Sequence, residues 1–259
     1  MKPPIMKTGI MTKYFAGWFG ILASGAAMVL TMALTVALTM VPAQAAERKF
    51  SISGFEDVRI IGNINVSIST NRGISASAEA EDREVLDRVQ LRKNGSQLIV
   101  SVQPKTSDTN HYSSDKPVTV TLSSHLVKSI THSGSGAVAL DRLGGRDVKA
   151  RLSGFGVLTI GDVDSDTLGI TMNGGGQIII AGQAKKARIE MLGSSVLDGS
   201  GLRLQTLDLV QRGPASSHVF VEKEAIISNS GTGKIQIDGR PNCSVRSGSA
   251  AQIICDPKR

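Results

Sequence analysis

The sequence is short of aromatic rings, of cysteine and of clustered charge. Phe, Tyr and Trp make up 3% of its 259 residues, and the single tryptophan, Trp18, lies in an N-terminal apolar run. A thick globular core usually leans on large rings, so a narrow interior of Val, Ile, Leu and Ala is expected instead. Cys243 and Cys255 are the only cysteines. No C-x-x-C spacing and no neighbouring His supports a metal or redox pair, and in an exported chain two cysteines twelve apart read as one disulfide closing the last turn of the fold. Lys and Arg are scattered without a basic run, so nucleic acid is not an expected partner.

The beginning of the chain has the form of a leader. Lys2, Lys7 and Lys13 form a basic start, Tyr14 to Met40 is almost wholly apolar, and Ala43-Gln44-Ala45 follows as an A-x-A cleavage motif. Residues 1–45 are therefore expected to be a signal peptide, with Ala46 as the new N-terminus. The rival reading is an uncleaved anchor, because residues 14–40 are long enough to tether the chain to a membrane. Either way the remainder is expected outside the cytoplasm, in the periplasm or at the cell surface. Loss of residues 1–45 removes three lysines and no acid, so the formal charge falls from +7 to +4.

What the sequence does have is a repeated glycine motif. It reads Ser133-Gly134-Ser135-Gly136, Ser153-Gly154-Phe155-Gly156 and Asn173-Gly174-Gly175-Gly176. It returns at Gly193-Ser194-Ser195, Gly213-Pro214-Ala215, Ser230-Gly231-Thr232-Gly233 and Ser247-Gly248-Ser249. The steps between the lead glycines Gly134, Gly154, Gly174, Gly193, Gly213, Gly231 and Gly248 are 20, 20, 19, 20, 18 and 17. A period near twenty means a stacked coil with one repeat per turn. Apolar residues hold register with the glycine: Leu158 and Ile160 lie four and six positions after it, Ile170 and Met172 four and two before the next. Even offsets thus point inward, and the glycines are expected to turn corners, where φ > 0 or close backbone approach is needed. The position two before the glycine turns polar at His132, Gln211, Asn229 and Arg246. Either the register slips in the final turns or the interior becomes a stacked amide ladder; His132 is expected to be a buried core histidine, and Arg246 to mark an exposed cap.

Residues 46–117 lack the motif. Val58-Arg59-Ile60 and Ile64-Asn65-Val66-Ser67-Ile68 alternate with period two, Glu81 to Leu86 suits one helical turn, and Asn94-Gly95 is a hairpin turn. Residues 104–116 are polar and read as a loop. The expected architecture is all-β: a parallel β-solenoid of about seven turns over residues 118–259, preceded by a β-rich section over 46–117.

Few residues point to chemistry. The glycine strings are not followed by a helix and recur every twenty residues, which excludes a dinucleotide or phosphate loop. The nine-residue period and the aspartates of calcium-binding β-rolls are missing. Asp162-Val163-Asp164-Ser165-Asp166 reads as a solvated corner, stacking of successive corners is what would bring Asp141, Asp162 and Asp164 near one another, and the histidines show no metal-ligand spacing. No catalytic, cofactor or metal residue is assigned.

The chain resembles the head GIN-domain family of putative auto-transporter adhesins. The residues that carry this are Phe55-Glu56-Asp57-Val58, Gly62-Asn63-Ile64-Asn65-Val66-Ser67-Ile68, Gly95 to Val100, and Val118-Thr119-Val120 through Ile130 into the serial Ser-Gly-x-Gly motifs. The resemblance implies an exported β-solenoid-like domain and brings no catalytic residues. No amphipathic strands for an outer-membrane barrel follow the coil, so self-export by that route is not expected. The reading is a non-enzymatic envelope or surface protein, adhesin-like, binding an envelope protein or a glycan along an extended β face. Lys149, Arg151, Thr159, Thr171, Gln177 and Ile179 are the candidate face positions. A carbohydrate-active β-helix enzyme and a structural envelope protein without a ligand are the alternatives, and an uncapped end would invite self-association.

Overall fold

A computed structural model describes residues 46–103, 118–248 and 251–255. The expected leader or anchor, the polar loop with His111, and Ser249 lie outside the described residues.

The order of elements is β1 (Ala46–Lys49), β2 (Asp57–Ile61), β3 (Ile64–Ser69), β4 (Ser75–Ala80), α1 (Arg83–Asp87), β5 (Val89–Asn94), β6 (Gln97–Val102) and β7 (Val118–Ser123). Then come β8 (Ser129–Gly134), β9 (Ala137–Gly154), β10 (Val157–Gly174), β11 (Gln177–Gly193), β12 (Val196–Arg212), β13 (Ser216–Asn229), β14 (Lys234–Gly239), β15 (Asn242–Ser247) and β16 (Gln252–Cys255). Strands β9 to β13 each fold at a bend into two arms. The arm that leads into a glycine corner is called the first arm, and the arm that leaves it the second.

The coils stack by parallel pairing. Leu158 lies opposite Ile178 and Met172 opposite Met191, which sets equivalent residues about 4.8 Å apart. Even offsets point inward as expected: Leu158, Ile160, Ile170 and Met172 are all buried. On the first arms Val58, Ile130, Ala150, Ile170, Ile189 and Leu209 form one inward column. The fold is the expected parallel β-solenoid, of about six turns.

The lead glycines form a column of their own. The Gly154 carbonyl accepts from the N–H of Gly175 at 3.0 Å, and the Gly174 carbonyl from Ser194 at 2.9 Å. Gly174 has φ of +117°, and a Cβ there would lie 2.6 Å from the Gly154 oxygen. Both the dihedral and the space therefore require glycine. Gly134, Gly154, Gly193 and Gly213 share the positive φ, and Gly231 shares the close approach to the preceding corner. Gly248 stands outside the column: a Cβ would meet nothing within 4 Å. The reason is a register shift, since Ser247, not Arg246, pairs with Asn229.

The unequal steps are absorbed at the bend, not at the corner. Pairing of β10 with β11 jumps between Ile160 and Val163, that of β11 with β12 between Ile179 and Ala181, and that of β12 with β13 between Gly199 and Arg203. A glycine corner fits only one backbone path, whereas a bulged bend tolerates an added or missing residue.

The N-terminal section shares the coil's sheet. β2 and β3 meet at Gly62 and form a rung of their own, with β2 paired in parallel to β8 and β3 to β9. On the other side β2 pairs β6 and β3 pairs β7. A rung from residues 57–69 therefore sits between one from β6 and β7 and one that starts at β8. Antiparallel partners finish this end: β5 against β6, and β4 with β1 against β7. α1, capped by the Asp82 carboxylate on the Glu84 N–H, adds buried Val85 and Leu86. The Asp141 carboxylate binds the N–H and hydroxyl of Thr70 at 2.9 Å and ties the section to the coil.

At the opposite end Cys243 stacks on Ala225 of the first arms and Cys255 on Ile237 of the second. Their disulfide crosses the interior between the two arms of the last rung. Val245, inward by register with buried Ile227, is 45% exposed there.

Candidate functional site

The outer surface of the first arms is a flat sheet whose side chains stand in columns. One column reads Arg92, Ile99, Arg59, Thr131, Arg151, Thr171 and Glu190 from rung to rung. Its neighbour reads Asp57, Ser129, Lys149, Gly169, Arg188 and Asp208. The stem of Lys149 runs beside Gly169, whose missing side chain leaves it room; a Cβ would lie 3.7 Å from the Lys149 Cγ. Of the six face positions expected from sequence, Lys149, Arg151 and Thr171 lie on this surface. Thr159, Gln177 and Ile179 lie on the second arms, where Ile179 pairs Asp198 and Asp198 pairs His218. The coil thus presents two faces, because the corner between the arms turns the sheet away from itself.

A groove runs along the bend, with a volume near 730 Å³. Arg146, Lys185 and Arg203 face Asp164, Asp166 and Glu222 across it. Its charges are largely matched. Lys185 meets Asp166 at 2.6 Å, and Arg142 meets Asp164 at 2.9 Å and Asp162 at 3.5 Å. The Lys185 ammonium, hydrogen-bonded to Asp166, holds that carboxyl below the usual range. Stacking therefore brings Asp162 and Asp164 together around one guanidinium, while Asp141 turns to Thr70.

Sequence reasoning missed a second cluster. His218 bonds the Asp238 carboxylate at 2.6 Å, and Gln236 donates to the same group at 3.2 Å. The His218 bond lowers the Asp238 pKa, and the Ser200 hydroxyl and N–H lower that of Asp198. The signal was the common offset of Asp198, His218 and Gln236 after their glycines, visible only once the twenty-residue register is written out. Among the described residues no group of three or more His, Cys, Asp or Glu is arranged to hold a metal ion.

The polar inward residues prove to serve the corners. His132 bonds the Gly136 carbonyl at 2.9 Å, Gln211 donates to the Ala215 carbonyl at 2.6 Å, and Asn229 donates to the Gly231 carbonyl at 2.9 Å. All three are buried. From His132 to Asn229 the register is kept, Gln211 lies opposite Asn229 on the next rung, and both amides bond corner backbone. The slip comes one rung later, where Arg246 pairs with Ser228. Burial lowers the His132 pKa, against the opposing bond to Gly136.

Solved structures share this architecture. A "putative adhesin" from Bacteroides fragilis superposes with a TM-score of 0.72 at 16% identity, covering 82% of this chain and 96% of its own. A "putative lipid binding protein" from Parabacteroides distasonis gives 0.63 at 15%, covering 81% and 96%. A "putative adhesin" from Parabacteroides merdae gives 0.63 at 14%, covering 81% and 95%. At these identities the likeness establishes the fold alone. Among curated proteins none matches this sequence. The family model described as "Putative auto-transporter adhesin, head GIN domain" matches residues 54–241, from the strand before the Gly62 corner to the strand after Gly231. The chain belongs to that head GIN-domain family.

Proposed function

We propose that this protein is an exported, non-enzymatic, adhesin-like binding module of the cell envelope or surface, and that the first-arm face is what it presents. The observation that carries this is the register of the outward columns, unbroken from Arg92 on β5 to Glu190 on β11. Such a surface offers an extended partner the same spacing many times over. Family membership and a disulfide, which persists in oxidising compartments, support export. Glycan cleavage in the usual way needs a carboxylic acid kept protonated. Asp166, Asp198 and Asp238 are instead shifted downward, toward the ionised form.

The test is binding of the full chain to isolated cell envelopes. Thr131→Tyr with Thr171→Tyr blocks the face with bulk and no change of charge. Lys185→Glu with Arg203→Glu alters the groove. The first pair is expected to abolish binding and the second to leave it. Binding that survives the face pair and is lost with the groove pair refutes the proposal.

A further inference from the structure

The N-terminal half of the first-arm face has a charge pattern of its own. Arg92, Arg59 and Arg151 occupy every second rung of one column, with Ile99 and Thr131 between them. Two strand spacings separate successive guanidinium stems, about 10 Å. Lys149 stands beside Arg151 in the next column. All four are exposed, and among the described residues none of their side chains forms an ion pair or a hydrogen bond. Four cations elsewhere on the coil are engaged: Arg142 with Asp162 and Asp164, Lys185 with Asp166, Arg188 with Glu190 and Asp208, and Lys128 with Glu56; what sets the stripe apart is its alignment in one column. The acids at the border of the stripe are Asp57, which accepts from the Ser96 hydroxyl at 2.8 Å, Glu190, which is held by Arg188 at 3.0 Å, and Asp147, two positions before Lys149 on the bend side.

We infer that this stripe binds a linear acidic polysaccharide lying parallel to the coil axis. The inference rests on the first-arm face being the binding face. Unpaired cations kept in line by a rigid sheet have no structural task, and like charges so aligned repel one another until an anion arrives. Guanidinium forks match carboxylate or sulfate oxygens bidentately. A pyranose unit advances an extended chain by a little more than one strand spacing, so a charge on alternate sugars falls near alternate rungs. Hydroxyls of Thr131, Thr171, Ser129 and Ser153 stand beside the arginines, where they can meet sugar hydroxyls. The stripe carries no aromatic ring, so it lacks the stacking platform that single-stranded nucleic acid uses and the wedge that favours a lipid interface.

The test uses hyaluronate, which carries one carboxylate on alternate sugars, with neutral dextran as the control. The full chain is expected to bind hyaluronate and not dextran. Raising salt from about 50 mM to about 200 mM is expected to weaken binding several-fold, because exposed charges are screened. Arg59→Glu with Arg151→Glu is expected to abolish binding, the neutral pair Arg59→Gln with Arg151→Gln to reduce it about tenfold, and Lys234→Glu on the second arm to leave it unchanged. Circular dichroism verifies that each variant keeps its β spectrum. Vesicles containing phosphatidylglycerol form the competing arm. No hyaluronate binding, binding indifferent to the two arginines, or vesicle binding lost in parallel overturns the inference. If hyaluronate fails while envelopes still bind through Thr131 and Thr171, the polysaccharide inference falls alone. If the tyrosine pair also leaves envelope binding intact, the face reading falls with it.

Discussion

A methyl group at Gly174 meets the carbonyl of the corner beneath it, and neither atom can move without disturbing two rungs. Gly174→Ala is therefore expected to cost well over about 1 kcal/mol, since both dihedral and space oppose the change. Gly248→Ala, in open space, is expected to stay within about 0.5 kcal/mol. Urea unfolding of the two variants measures both, and equal losses contradict the column. His132 gives a different residue-scale prediction. Its folded pKa lies below the ordinary value of 6.5 because it is buried. A depressed pKa means the unfolded chain takes up the proton first, so stability is held above about pH 6.5 and lost as pH falls below it. The unfolding midpoint is expected to drop between about pH 7 and pH 5. His132→Leu, which copies Leu152 in the next rung, is expected to flatten that slope while losing the bond to Gly136. An unchanged slope in the variant contradicts the assignment to His132.

Among the elements, the last rung depends most on a covalent tie. Among the described residues no further rung covers Val245 and Ile253, and the Cys243–Cys255 bridge holds the two arms together. Replacing both cysteines by serine is expected to cost about 3 kcal/mol, from the loop-closure entropy of a short loop. Contacts in a solenoid are local, so hydrogen exchange is expected to quicken in β14 to β16 and to stay slow in β9 to β12. Exchange that rises evenly along the coil contradicts this. Much of the coil was legible in the sequence, because the corner demands glycine and the interior demands even offsets, and both leave a mark in every repeat. The one-residue shift at Gly248 was not, since a glycine in a bend looks the same whether or not it is stacked. Nor was the place of β2 and β3. Nothing local in Asp57-Val58-Arg59 records that it will pair with Ser129-Ile130-Thr131, more than seventy residues later.

For the whole molecule, the coil converts distant sequence into adjacent surface. Arg59, Arg92 and Arg151 share no motif, yet the inserted rung sets them in one column. That is why the sequence yielded Lys149, Arg151 and Thr171 as face positions but not the stripe they belong to. It also explains the mistaken grouping of these three with Thr159, Gln177 and Ile179: the alternation that marks exposed residues is the same on both arms, and only the corner tells them apart. The central claim, that the first-arm face is the binding face, is tested most directly by hydroxyl-radical footprinting of the free and envelope-bound protein. The account predicts protection centred on Ile99, Arg59, Thr131, Arg151 and Thr171, with Phe155, Gln183 and Lys185 labelled equally in both states. Protection confined to the bend groove or to the glycine corner would contradict it.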